Sequence, residues 1–367
     1  MCPVIFHLEL LALIALLSLN SCQAQSLPNH PQTLSNCRPP PPMTPNVKPG
    51  VVGLSLSRDG KTLVVAGGDA KIRLVDMVTG EVQRDFTGHT NAIYRAIFSP
   101  DEKLIASSSR DLTARIWDVS TGRELLKLNG FRCSVKTIAF SPDGQVVAAA
   151  GNDGMVKLYD VKTGKELRSL VHVNSANIDM SVYSVVFGRD GKKVYAANGD
   201  GTISEWDIAA GRETRVLKAH EHAIMKLAFS PDYSLLASLG GSVLKLWNTA
   251  TWREVRNLSM IRSGDAVAMP PSALAFSHDG KFVAASDVGL DQKQTTYLYV
   301  QTLVWNVNSG EKLFTLEGHK FDVDGLIFSR DDRFLLTGSV DTTIKFWDMK
   351  TGLLSRTLTM PPNQKTN

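Results

Sequence analysis

His89, Ser107 and Asp111 fall within one short stretch, and His319, Thr337 and Asp341 repeat the arrangement at the same spacing. An imidazole between a hydroxyl and a carboxylate is what base-assisted activation of a nucleophile requires, so acyl transfer is the first chemistry to test. Two imidazoles at His220 and His222 raise the question of a metal, and Asn198-Gly199-Asp200-Gly201 that of calcium. The second run is too short for an EF-hand loop. No glycine-rich phosphate loop precedes a helical pattern, because no helical pattern exists. Asp and Glu are abundant, but as turn residues, so no glycosidase-type carboxylate pair stands out. No cofactor and no metal are expected.

These residues sit at fixed places in a repeating unit. Between His89 and Asp118 an apolar run (Ile93 to Phe98), a polar turn (Ser99 to Glu102), a second apolar run (Leu104 to Ser107), a corner at Arg110-Asp111 and an alternating run to Trp117-Asp118 follow one another. Short runs bounded by Gly, Pro, Asp and Ser read as strands. A turn at Val119 to Glu124 and a strand from Leu125 to Leu128 complete four strands. The closing position of the third strand recurs at Val75, Trp117, Tyr159, Trp206, Trp247, Trp305 and Trp347. Four strands repeated about every 42 residues, with a Trp-Asp signature, predict an all-β, seven-bladed β-propeller with four antiparallel strands per blade.

Over residues 51–359 the chain resembles the WD-repeat (WD40) family. The resemblance implies a buried hydrogen-bonded tetrad per complete blade: His89, Ser107, Asp111 and Trp117 in blade 2, and His319, Thr337, Asp341 and Trp347 in blade 7. A set that recurs in each blade and ends on an indole is structural, and the catalytic-triad reading falls with it. His220 occupies the same structural place, which leaves His222 alone and argues against a metal. Blade 1 has Val75 in place of Trp, blade 3 has Tyr159, and Gly240-Gly241-Ser242 replaces the corner Asp of blade 5.

Loop lengths supply the functional asymmetry. Tyr159 to Phe187 and Trp247 to Phe276 are five and six residues longer than Trp117 to Phe140, and Phe276 to Trp305 is ten longer than Phe98 to Trp117. In the propellers this chain resembles, all three insertions open on one face, and two of them flank blade 6. Long loops on a stiff support are where binding resides. The partner-contact candidates are therefore Asn177 and Asp179; Met260, Arg262 and Asp265; and Lys293, Tyr297 and Tyr299. The inner ends of the first strands (Val51-Val52, Ile93-Tyr94, Val135-Lys136, Val182-Tyr183, Ala223-Ile224, Pro271-Ser272 and Val323-Asp324) read as mostly apolar, which speaks against an enzyme or a small-ligand site in the central mouth.

With 43% hydrophobic and 21% charged residues the chain has enough apolar material for a core. The net charge of +4 comes from Lys and Arg scattered over turns, not from a basic stripe, so nucleic acid is not an expected partner. Leu10 to Leu19 is apolar, too short to span a bilayer and the right length for a secretory signal. Leu19-Asn20-Ser21-Cys22 resembles a lipobox, so residues 1–21 read as a lipoprotein-type signal with Cys22 as the acylated residue that anchors the chain to a membrane. Cleavage after Ala24 is the rival, and the segment up to Glu9 has no Lys or Arg. Residues 22–50 form a proline-rich spacer around Arg38 to Pro45, and residues 360–367 a tail. In an oxidising compartment Cys37 and Cys133 could pair. These features predict an exported, membrane-anchored, monomeric propeller that binds a protein or peptide without catalysis. An enzyme or small-ligand binder using the central mouth, and a cytoplasmic scaffold whose leader is misread, are the alternatives. The proline content before Val51 predicts that no N-terminal strand completes blade 7.

Overall fold

The computed structural model describes residues 48–172, 179–260, 267–290 and 297–361. They form seven separate antiparallel sheets and, among the described residues, no helix. The blades span residues 51–87, 93–128, 135–171, 182–218, 224–259, 267–317 and 323–359, each a meander whose strands pair in sequence order.

The burial of each strand explains why one sheet cannot stand alone. The second strand of every blade, such as Leu104–Ser109 or Leu235–Gly240, is buried at every position after its first. Both faces of a blade are therefore covered, and the cover comes from its neighbours. Trp206 of blade 4 packs with Ala148, Leu158 and Leu170 of blade 3. Trp347 of blade 7 packs with Ala284, Val304 and Leu316 of blade 6. The same contact closes the ring, where Val75 and Leu63 of blade 1 meet Leu336, Ile344 and Phe346 of blade 7. The outer strands, such as Glu124–Leu128 and Leu354–Thr359, bury little more than their last leucine.

All four strands of blade 7 come from residues 323–359, so no described N-terminal strand completes it. Closure relies instead on side chains. The Arg330 guanidinium donates to the carbonyls of Leu56 (3.0 Å) and Ser57 (2.9 Å), bridging blades 7 and 1. Arg356 adds a bond to the carbonyl of Met77 at 3.0 Å. Blade 6 departs most from the common plan. Its inner strand is split into Val267–Ala268 and Leu274–Phe276, and both pieces pair with a second strand lengthened to Phe282–Leu290.

Charged donors to carbonyls contribute about 1.5–3 kcal/mol each. Arg330→Ala should accordingly lower the unfolding free energy by at least about 2 kcal/mol, read from urea-denaturation midpoints at unchanged m value.

Candidate functional site

The first strand of each blade lies innermost, against the first strands of the neighbouring blades. In six blades its pairing slips by one residue, between Val51 and Gly53, Ile93 and Arg95, Val135 and Thr137, Val182 and Ser184, Ile224 and Lys226, and Val323 and Gly325. A β-bulge leaves one residue unpaired and re-aims its side chain. The bulged residues are Val52, Tyr94, Lys136, Tyr183, Met225 and Asp324. With Lys226 and Ser272 they line a cleft of about 200 Å³ on the axis.

The two residues of each inner end go to different places. The first residue of each pair, such as Ile93 or Val323, is buried beneath the blade, and the second faces the channel. In blade 5 the pair is Ile224-Met225, one residue later than the sequence suggests. Counting both residues of each pair hid the charges of Lys136 and Asp324 in a mouth whose surface is otherwise mostly apolar.

The mouth is electrostatically loaded. Lys136 Nζ lies 4.0 Å from the centre of the Tyr94 ring, a cation–π contact. Burial, with the charges of Arg95 and Lys136 added and only Asp324 opposing, lowers Lys226 to about 8. Burial, with the neighbouring charge of Asp322, raises Asp324 above the usual carboxylate range, against a hydrogen bond from Ser272 and the attraction of Lys226 and Lys136. The Tyr183 hydroxyl donates to Asp179 Oδ2 at 2.8 Å, while Asp179 Oδ1 accepts from the Ser181 N–H. Burial and that carboxylate push Tyr183 up to about 12.

The tetrads are closed internally. Trp117 Nε1 donates to Ser107 Oγ (2.8 Å), Ser107 bonds His89 Nε2 (2.8 Å), and His89 Nδ1 donates to Asp111 Oδ2 (2.7 Å). Blade 7 repeats the chain from Trp347 through Thr337 (2.9 Å) and His319 (2.7 Å) to Asp341 (2.9 Å). Burial keeps His89 below the ordinary imidazole range despite Asp111. Burial pushes Asp111 up, but hydrogen bonds from His89, Thr113 and the Thr90 N–H hold it well below the usual carboxylate range. A hydroxyl fixed between an indole and an imidazole, with no exposed surface, has no access to a substrate.

His172 belongs to this system, although its sequence position places it at the start of an insertion. It lies 3.2 Å from Asp200 and 2.8 Å from Glu213, whose carboxylates outweigh burial and raise its pKa. The other structural histidines stand four residues before their strands, whereas the insertion separates His172 from Val182. In the same blade Ala196 replaces the hydroxyl residue, and Trp206 Nε1 finds no acceptor among the described residues.

The partner-contact candidates separate. Asn177, Arg262, Asp265 and Lys293 lie outside the described residues, as do Cys22 and Cys37. Met260 is 2% exposed in the core between blades 5 and 6, so it is no surface contact: an apolar side chain at the start of a loop completes the layer below it. Tyr299 fills the space over Gly289, where a Cβ would stand 2.4 Å from its ring. Tyr297 packs edge-on against Phe321, with ring centres 5.6 Å apart. The lengthened hairpin, through Val288 and Val300, rests on Val323 beside the axial mouth. Leu298 (54%), Phe321 (45%) and Val340 (42%) are exposed around it. Cys133 is buried and disulfide-bonded, and the other three cysteines lie outside the described residues.

The sequence profile described as "WD domain, G-beta repeat" matches residues 80–118, 122–160, 165–207, 211–248 and 310–348, more than half of the chain. The chain belongs to the WD-repeat family. Each matched segment ends on the partner of the Trp position, and the two repeats not matched are those with Val75 and with the enlarged blade 6. Among curated relatives, the B-type cell cycle switch protein ccs52A of Medicago truncatula is 32% identical over 140 residues, 36% of this chain and 26% of its own length. Protein FIZZY-RELATED 2 of Arabidopsis thaliana is 33% identical over 140 residues, with the same coverage. The anaphase-promoting complex subunit cdh1 of Dictyostelium discoideum is 30% identical over 136 residues, 36% of this chain and 16% of its own length. The chain thus spans about a quarter or less of the length of these relatives.

A lysine held at about 8 opposes folding while it is protonated. Lys226→Met should raise the thermal midpoint at pH 7 by roughly 2 °C or more, and the gain should shrink as pH rises from 8 towards the ordinary lysine value. Melting curves of the two proteins across that window test this.

Proposed function

We propose that this WD-repeat propeller is a non-catalytic scaffold that engages a protein or peptide partner on the face carrying the blade 6 hairpin. The observation that carries the reading is the exposure of Leu298 on that hairpin and of Phe321 and Val340 on the adjoining loops of blade 7, with the hairpin's own core resting on Val323 beside the axial mouth. Apolar and aromatic side chains on a stiff support suit an interface core with a polar surround. The tetrads leave no open nucleophile. One relative is by name a subunit of the anaphase-promoting complex, and membership of a larger assembly is the property carried over here.

The scaffold is proposed to be exported and anchored to a membrane through an acylated Cys22. The apolar Leu10 to Leu19 run supports a secretory signal, and a disulfide at Cys133 supports an oxidising compartment. Cys37 is the partner proposed for Cys133, tying the proline-rich spacer to blade 3.

Leu298→Glu combined with Phe321→Glu should leave the chain folded, at a cost of about 1.5 kcal/mol for the lost Tyr297 ring contact, and abolish recovery of the partner that copurifies with the unaltered chain. Identical recovery would contradict the assignment of this face. Cys22→Ser should end palmitate incorporation and release the chain from the membrane fraction, whereas labelling that persists would refute the anchor.

A further inference from the structure

The turn after each first strand lies at the end of that strand remote from the bulge, and its second residue differs around the ring. It is His278, Arg330 and Arg58 in blades 6, 7 and 1, but Pro100, Pro142 and Pro231 in blades 2, 3 and 5. Arg330 donates to the Leu56 and Ser57 carbonyls and lies 3.0 Å from His278 Nε2, so one guanidinium ties blades 6, 7 and 1 together. The prolines have no such reach and no N–H to donate. Arg189, at the same place in blade 4, is exposed. On the proline side a hollow of about 390 Å³ remains between blades 2, 3, 4 and 5.

The half-buried rings of Phe98, Phe140, Phe229 and Tyr233 wall this hollow. Phe229 packs on Tyr233 with ring centres 5.1 Å apart and meets Tyr195 edge-on at 5.2 Å, so that wall is fixed without a ligand. Among the described residues one charged side chain lines the space, that of Arg95, one residue past the blade 2 bulge. Ring assembly explains other occupants of that position. Thr137 Oγ1 accepts from the Val185 N–H and Ser184 Oγ from the Leu227 N–H, each 3.2 Å away in the next blade. Gly325 lets blades 7 and 1 approach, since a Cβ there would stand 2.8 Å from Leu54 Cγ. Assembly gives no reason for a guanidinium. Arg95 makes no hydrogen bond or ion pair among the described residues, and burial lowers its pKa with no carboxylate opposing the shift. A cation so placed has lost hydration that an oxyanion beside it would replace.

The geometry points to a binding site in this hollow for a small monocarboxylate with an apolar body, an aryl- or alkylcarboxylic acid whose carboxylate meets Arg95 and whose body lies against Phe98, Phe140 and Phe229. The planar fork of Arg95 matches the two oxygens of one carboxylate, and one cation matches one negative charge. Aromatic walls around a single charged group are what a concave small-molecule site requires, and the volume falls in the range such sites occupy. The assignment goes beyond the protein-binding reading and does not rest on it. The blade 6 hairpin rests on Val323, at the start of a first strand, whereas the hollow lies where the first strands end.

Isothermal titration calorimetry of the full chain with 3-phenylpropionate and with octanoate, against acetate at matched ionic strength, tests the site. Saturable binding of at least one of the two larger acids at one site is expected, with acetate at least about tenfold weaker. Binding should weaken about tenfold or more in Arg95→Met and when the acid is replaced by its neutral primary amide, and should persist in the Leu298→Glu/Phe321→Glu variant. Absence of saturable heat with both acids would overturn the assignment. So would undiminished binding in Arg95→Met, an amide or acetate that binds as tightly as the acid, or loss of binding in the hairpin variant. The amide comparison uses the unaltered chain and keeps the test decisive if Arg95→Met does not fold.

Discussion

Burial of the second strand between neighbouring blades is the constraint on which the rest of the molecule depends. A four-stranded sheet with an apolar strand covered on neither face would expose its core, so each blade is completed by the next. Closing the circle turns this mutual dependence into a stable object without a shared strand among the described residues. The junction of blades 7 and 1 uses the same apolar contact as every other junction, reinforced by Arg330 and Arg356. The polar tetrads are subordinate to this packing. They satisfy an indole, a hydroxyl and an imidazole that the apolar layers have removed from water.

Because the inner strands are held at fixed spacing around the axis, a local irregularity in each becomes a collective feature. The bulge after Ile93, and its counterparts in five other blades, turns one side chain per blade towards the same point. Identity at that point is free of the packing rules that govern the strand on either side. Charge can therefore stand there, as Lys136 and Asp324 do with Lys226 beside the blade 5 bulge, at a cost set by burial and not by packing. The blade 6 hairpin extends from the same end of the ring and rests on Val323, the residue before Asp324. Axial charge and the exposed apolar group are thus neighbours on one face.

Much of this was legible in the sequence, because the repeat places each strand, turn and tetrad residue by count alone. The alternation of Ile93, Tyr94 and Arg95 could not be read that way. A bulge adds one residue without changing composition, so a buried residue and a channel residue looked like one apolar pair. His172 escaped because an insertion separates it from its strand, and the tetrad is recognised by spacing. Met260 was misplaced for the opposite reason: it stands where a loop begins, but its side chain still belongs to the layer between blades 5 and 6. Loop length pointed correctly to an enlarged blade 6, while only coordinates reveal that Val288 and Val300 give the hairpin its own core.

Native-state hydrogen exchange of the full chain tests the ring most directly. If every second strand is completed by its neighbours in a closed circle, amides of Thr62–Gly67 in blade 1 and Phe334–Ser339 in blade 7 should open at the same free energy as those of Val146–Gly151 in blade 3. Earlier opening of blades 1 and 7, as in an array that frays from its ends, would contradict it.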